Sequence, residues 1–185
     1  MPIPKHGKKD YSIAKAYRTI SLLNVFGKIT EKVAAEALTD HLEHRGYLSD
    51  GQFGGRRKRA AIDAVARLIV TVEEAWRNNL VVGALFMDVK GAFPTTNVHV
   101  LAAKLRHYQV PENMVRWVQS FMGERKVWVE INGEAGEEIN YTSGLPQGSP
   151  ISPILFNVLM SDLEVWVLED TKNGVTGLSF LDDVA

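Results

Sequence analysis

The sequence contains no cysteine. That absence removes a disulfide framework, a cysteine-based zinc site and a thiol nucleophile from consideration, and it fits an intracellular protein. Long apolar runs are missing too. The longest, "LVVGALFM" at 80–87, falls far short of the roughly 20 residues that a bilayer-crossing helix needs. The first ten residues, "MPIPKHGKKD", have no apolar segment of the signal-peptide kind. Histidines 6, 41, 44, 99 and 107 show no HExxH-type spacing, and the chain has no GxxxxGK[ST] loop, no GxGxxG after a strand and no GxSxG. Zinc-protease, P-loop, dinucleotide-binding and serine-hydrolase chemistries therefore lack their parts.

What is present is the composition of an ordinary globular protein. The 185 residues, 45% hydrophobic and 23% charged, fit one domain, or one domain and part of another. The net charge of −1 hides an uneven distribution. Residues 1–60 carry 12 Lys and Arg against 6 Asp and Glu, and residues 61–185 carry 9 against 16. A basic first third with "KHGKK" and "RRKR" suits phosphates, although two solvated basic loops look the same by charge alone.

Hydrophobic spacing predicts a helix over 26–44, with Ile29, Val33, Ala37, Leu38 and Leu42 on one face. The Gly- and Arg-rich loop "RGYLSDGQFGGRRKR" follows at 45–59. A second amphipathic helix is expected over 60–78, with Ile62, Val65, Ile69, Val72 and Trp76 on one side. The run at 80–88 reads as a buried strand. Helices are expected over 97–108 and over 111–122, where Pro111 suits a first turn. "KVWVEIN" at 126–132 alternates as a half-buried strand does, and "GEAG" turns it towards "EEINYTS". A helix opened by Pro153 is expected over 153–170, with Leu155, Leu159, Leu163 and Val167 at helical spacing, and a last strand over 175–181. Irregular alternation of helices and short strands predicts an α+β domain with a small antiparallel sheet packed on helices.

Three aspartates stand where strands end. Asp88 closes "VVGALFMD", and Asp182 and Asp183 follow "LSFL". Aspartate also favours turns, so each alone has an ordinary structural explanation. Together, on neighbouring strands, they would converge as hard oxygen ligands for Mg²⁺. Two such ions form a clamp for in-line displacement at phosphorus. The ions' charge would also explain how adjacent carboxylates are tolerated inside an apolar run. The most specific stretch is "SGLPQGSPISPILFNVLMSDL" at 143–163. Its Gly144, Pro146, Gly148, Pro150 and Pro153 make a rigid loop before a helix, displaying Gln147 and Ser149.

"MDVKGAF", "GLPQGSPISPILF" and "FLDD", in this order, resemble the three central palm motifs of reverse transcriptases. The upstream "IPKHGKKDYSIAKAYRTISLLNVFGKITEKV" resembles the fingers of the non-LTR, LINE-type retrotransposon enzymes, and "LSDGQFGGRRKR" and "VPENMVRWVQSFM" are also similar to this family. The resemblance covers essentially the whole chain. It implies a right-hand polymerase fold, with fingers at about 1–79 and 109–146 and palm at about 80–108 and 147–185, truncated before the thumb. Asp88, Asp182 and Asp183 would be catalytic metal ligands for two Mg²⁺, with Mn²⁺ as an alternative. Phe93 would be the aromatic gate beneath the sugar. Gln147 would support the incoming nucleotide. Arg18, with Lys8 or Lys9, would hold the triphosphate. Arg56, Arg57, Lys58 and Arg59 form a basic run suited to nucleic acid. Phe180, Pro94 and Thr19 depart from the family's usual residues, but none of them is a metal ligand.

The resemblance implies RNA-directed DNA polymerisation from dNTPs on a template and primer, in nucleus and cytoplasm, away from membranes. Two other readings stay open: an element remnant that keeps only weak nucleic-acid binding, and an RNA-dependent RNA polymerase palm, against which a bulky Phe93 under the sugar argues. Because the sequence stops two residues after Asp183, the return strand of the "FLDD" hairpin is expected to be absent and the tip held from one side only. The later palm and thumb are also expected to be absent, and the 185 residues alone to be inactive.

Overall fold

The structure, a computed structural model, describes residues 1–142, 144–169, 174–181 and 183–184, and for 164–169 only the backbone. Asp182 and the side chain of Val167 thus lie outside the described residues.

Two helices begin at asparagines that satisfy their first free N–H groups. Asn24 caps α1 (Val25–His44) by accepting from the Gly27 amide at 2.6 Å. Asn97 caps α3 (Val98–His107) by accepting from His99 and Val100. Pro111 stands at the cap of α4 (Glu112–Met122), one position earlier than its expected place in the first turn. α2 spans Ala61–Arg77, and the Asp63 carboxylate accepts from the Ala60 amide at 2.7 Å. α5 spans Ser152–Glu169. All five lie within two residues of the ends that spacing predicts.

α1, α3, α4 and α5 enclose the core, which centres on Leu38, Leu42, Leu101, Leu105, Val118, Leu155 and Phe156. The apolar face expected for α1 is only half right. Leu38 and Leu42 are buried, but Ile29 and Val33 are 56% and 62% exposed, and the helix instead buries Glu31, Ala34 and Thr39. A helix with apolar residues spread around its girth does not fix which stripe meets a neighbour, because packing chooses the face.

Among the described residues the strands are short and every pairing between them is antiparallel: β1 (Pro2–Pro4) with β2 (Tyr17–Thr19), and a three-stranded sheet in the order β3 (Met87–Asp88), β9 (Asp183–Val184), β8 (Ser179–Phe180). β4 (Arg125–Val127) pairs with β7 (Ile139–Tyr141), and β5 (Glu130–Ile131) with β6 (Glu134–Ala135), so 125–141 forms one arm. The expected α+β class and hairpin pairing hold. The expected burial does not. Val127, Trp128, Val129, Ile131 and Ile139 are all exposed on the arm.

Two further expectations are corrected. Only Met87 and Asp88 of the run 80–88 are strand, and Leu80, Val81, Leu85 and Phe86 are exposed. α2 buries no residue, and Ile62, Val65, Ile69 and Trp76 all face outward. An apolar pattern specifies a surface that gains from cover, but it does not supply the cover. The last strand is likewise shorter than expected, Ser179–Phe180 rather than 175–181.

These burial differences set the stability response. Leu105 is fully buried between helices, and Leu105→Ala should destabilise the chain by about 2–5 kcal/mol. Ile69→Ala, on the open face of α2, should change stability by no more than about 0.5 kcal/mol. Urea unfolding of the two variants checks this, and a comparable loss for Ile69→Ala would show that α2 is covered.

Candidate functional site

The site is built on the turn between β8 and β9. Phe180 pairs with Asp183 and Ser179 with Val184, so the chain reverses within two residues. Leu181 takes φ 59°, a left-handed conformation that costs a non-glycine residue about 1–2 kcal/mol. β9 then lies between β8 and β3, with Met87 opposite Val184 and Asp88 opposite Asp183. Side chains alternate across a sheet, so Phe180, Asp183 and Asp88 form one cross-strand row. The next row holds Ser179, Val184 and Met87. Ser179 and Val184 are buried, while Asp88 and Asp183 are exposed. Opposite residues of an antiparallel pair have Cβ atoms about 4.5–5.5 Å apart, and the two carboxylates therefore share one face at close range. Asp182 lies outside the described residues.

This arrangement corrects the expectation of an absent return strand. Its first residues, Asp183 and Val184, are present and paired on both sides. The tip is not held from one side only, because a second support comes from the loop 51–55. Gln52 forms a parallel bridge with Ser179. The Ser179 amide donates to Gly51 O and the Phe53 amide to Ser179 O, both at 2.8 Å. Asn157 of α5 donates to Gly54 O at 2.8 Å. The backbones approach so closely that a Cβ on Gly54 would stand 2.4 Å from the Leu181 nitrogen. Two glycines of "GQFGG" thus have a physical cause that their spacing did not disclose: a Cβ on Gly54 would meet Leu181, and one on Gly51 would stand 2.3 Å from Gly177 O.

The other expected residues sit on two loops tied together. Phe93 is partly buried, its ring stacked on Phe156 with centroids 5.3 Å apart. Its carbonyl accepts from the Leu145 amide at 2.7 Å. Gly144, at φ 74°, could carry no side chain there, since a Cβ would lie 2.5 Å from Pro94 O. Gln147 is exposed at the crest of the 144–152 loop, and its carbonyl accepts from the Ser21 amide at 2.8 Å. Ser21 closely follows β2, which carries the exposed Arg18 opposite Ile3 of β1. Lys8 and Lys9 are exposed on the connection that follows β1. The fold therefore links the Phe93, Gln147 and Arg18 segments through backbone hydrogen bonds.

The basic run 56–59 is less available than its charge suggests. Arg56 is buried. Its Nε and Nη2 donate to the two carboxylate oxygens of Glu43 at 2.7 and 2.5 Å, and its Nη1 donates to Ser49 O and to Gln52 O. Four of its five N–H donors are thus used. Arg56 is corrected from a nucleic-acid contact to a brace of the loop that supports the hairpin. Arg57 pairs with Asp40 at 2.7 Å and Arg59 with Asp50 at 2.9 Å, while Lys58 is exposed. The hydrogen bond from Arg56 holds the Glu43 carboxyl below its ordinary 4.5, against desolvation that raises it.

Asp88 and Asp183 make no ion pair with another of the described residues. Like charges directly opposite each other destabilise a sheet, and among the described residues no group of three or more His, Cys, Asp or Glu is placed to hold a metal ion.

Residues 3–185 match the family described as "Reverse transcriptase (RNA-dependent DNA polymerase)". The chain is 28% identical over 186 residues to the "Probable RNA-directed DNA polymerase from transposon BS" of Drosophila melanogaster, which aligns with 99% of this chain and 20% of that protein. It is 28% identical over 185 residues to the "RNA-directed DNA polymerase from mobile element jockey" of the same species, again over 99% of this chain and 20% of that protein. The chain thus spans about a fifth of the length of these relatives. Among solved structures, its fold is similar to that of apo telomerase from Candida tropicalis truncated from its C-terminal domain. The TM-score is 0.53 at 15% identity, covering 85% of this chain and 33% of that one.

Two expectations follow from the supports of the hairpin. Gly54→Ala should destabilise by about 1–3 kcal/mol, as overpacking does, whereas Gly83→Ala, with open space around its Cβ position, should stay within about 0.5 kcal/mol. Equal losses in thermal unfolding would contradict the close approach at Leu181. The second concerns acid. A carboxyl whose folded value is depressed adds stability above its unfolded value and loses that contribution as pH falls towards the folded one. The Glu43–Arg56 pair should therefore stabilise fully above pH 4.5 and weaken below it. Arg56→Met should flatten this acid limb in urea unfolding measured across a pH series, and an unchanged slope would remove the pair from the account.

Proposed function

The chain belongs to the reverse transcriptase (RNA-dependent DNA polymerase) family, and on that premise we propose that it supplies fingers and palm residues of a retrotransposon RNA-directed DNA polymerase of the non-LTR, LINE type. The observation that carries the proposal is the register of Asp88 opposite Asp183 on an exposed row, beside the tied loops of Phe93 and Gln147.

In this reading the reaction is in-line displacement. The primer 3′-oxygen bonds to the α-phosphorus of a dNTP, the bond from that phosphorus to the bridging oxygen breaks, and pyrophosphate leaves. Divalent ions at such a site supply Lewis-acid activation of the attacking oxygen and neutralise charge at phosphorus. Asp88 and Asp183 are the described residues that would hold them, and the motif resemblance adds Asp182. Arg18, with Lys8 or Lys9, meets the triphosphate as a fixed cation, which assists most when negative charge moves to the leaving group. Phe93, braced by Phe156, offers a ring beneath the sugar, where a ribose 2′-hydroxyl would collide. Gln147, exposed on a loop held at both flanks, supports the nucleotide. Template and primer lie along the same face.

The test replaces the matching fifth of the transposon BS relative with this chain and measures primer extension. The chimera should extend an RNA-templated primer with dNTPs and Mg²⁺. Asp88→Ala should reduce the rate by at least about a thousandfold, the scale of removing principal electrostatic stabilisation. Phe93→Ala should raise the use of ribonucleotides relative to deoxyribonucleotides by about 10–200-fold, the range of a pocket that discriminates by shape. Extension that survives Asp88→Ala would overturn the proposal, and an unchanged sugar ratio would reduce Phe93 to a packing aromatic.

A further inference from the structure

We infer that Glu31 is a positioning residue for the nucleotide-supporting loop, acting through Ser149. This rests on the polymerase reading, and it concerns a residue to which the sequence reading gave no role. Glu31 lies on α1 and is 4% exposed, while Ile29 and Val33 of the same helix point outward. A helix that buries a carboxylate and exposes isoleucine and valine works against the usual free-energy gradient, since an unpaired buried charge costs several kcal/mol. Among the described residues Glu31 forms no ion pair. Its partner is the buried Ser149 hydroxyl, which donates to Glu31 Oε2 in a short, charge-assisted hydrogen bond.

Ser149 is two residues beyond Gln147, and the remaining anchors of the loop come from other elements. Arg125 donates to Gly144 O at 2.7 Å and the Ser152 hydroxyl to Pro146 O at 2.8 Å. The Leu145 amide bonds to Phe93 O, and the Ser21 amide to Gln147 O. Every anchor up to Gln147 uses backbone on the loop side. The side chain of Ser149 ties the far flank of the crest to α1, and Glu31 is what it grips. Releasing it cuts the tie from the far flank to α1, leaving Gln147 and Gly148, both exposed, with backbone bonds there from the Ser149 amide to Pro146 O and from the Ser152 amide to Ser149 O, which join the crest to itself and to α5 but not to α1. The crest then drifts relative to Phe93, which shares the Leu145 bond. Local conflicts between sequence pattern and burial are expected where function demands them, and Glu31 is such a conflict.

The test uses the chimera with Glu31→Leu, Glu31→Gln, Ser149→Ala and the double variant Glu31→Leu/Ser149→Ala. Replacing a buried carboxylate by an apolar residue of similar volume commonly leaves a fold as stable or more so, so Tm should not fall in Glu31→Leu. The KM for dNTP should rise about tenfold, the scale of one charge-assisted hydrogen bond, with little change in the affinity for primer and template. Glu31→Gln, which keeps an acceptor, should recover most of the loss. Ser149→Ala should raise KM at least as much as Glu31→Leu and also lower Tm, because it leaves the buried carboxylate unpaired, and the double variant should be no worse than either single, because both remove one interaction. Amide hydrogen exchange at 145–149 reads the loop whether or not the protein polymerises, and it should accelerate about tenfold in both single variants. Unchanged exchange, additive KM effects, or a loss confined to Tm and active fraction would each overturn the inference. Faster loop exchange in a chimera that extends no primer, even with wild-type residues, would keep the anchor and overturn the polymerase reading instead.

Discussion

Everything at the site depends on one backbone ladder. β9 is held between β8 and β3, and this pairing puts Asp183 opposite Asp88. No side-chain contact could substitute for it. In an antiparallel pair the opposing residues point the same way, and a slip of one position turns every side chain to the other face. A single slip would turn Asp183 towards the core and Val184 towards solvent. The burial of Val184 and Ser179 penalises that slip, so these two positions hold the acidic row in place. The strained Leu181 turn is the consequence. A reversal within two residues requires positive φ, and the ladder on either side compensates for the strain.

The ladder is braced by the loop 51–55, whose backbone extends the pairing beyond β8. That loop buries Phe53, and polar bonds add to its shape. Arg56 ties Glu43 of α1 to the carbonyls of Ser49 and Gln52, and Asn157 ties α5 to Gly54. The helical core thereby reaches the hairpin through hydrogen bonds. Because the pair is partly buried, losing one partner should cost more than an exposed ion pair contributes. The same loop explains why a cluster of arginines need not be a nucleic-acid contact: a carboxylate within reach on a neighbouring helix offers a guanidinium a closer partner than any phosphate.

The distribution of apolar surface is uneven. Four helices share a dense core, whereas α2, the run 80–86 and the 125–141 arm expose Ile62, Trp76, Val81, Phe86, Trp128 and Ile131. These exposed residues lie on amphipathic or alternating stretches, the patterns that a buried face requires. The chain covers about a fifth of its relatives' length, so burial within these 185 residues does not measure burial in a longer protein.

The sequence alone determined the helices, the order of the motifs and the α+β class, because caps, periodicity and turn residues act over a few positions. Leu38 and Leu42 lie at the helical spacing that placed α1, and "FLDD" and "GLPQGSP" stand out without any partner. Beyond the local hairpin at 125–141, what the chain's own pattern left open was which distant parts meet. Ile29 and Glu31 are two residues apart on α1, and only packing against Ser149, more than a hundred positions away, decides that the carboxylate turns inward. Arg56 and Lys58 read as equivalents until Glu43 engages the first. Val81 and Leu105 are equally apolar, yet one is 97% exposed and the other fully buried. Local propensity is a property of neighbouring dihedrals and side chains, whereas burial, register and ion pairing belong to surfaces brought together from distant parts of the chain, and those the tertiary structure decided.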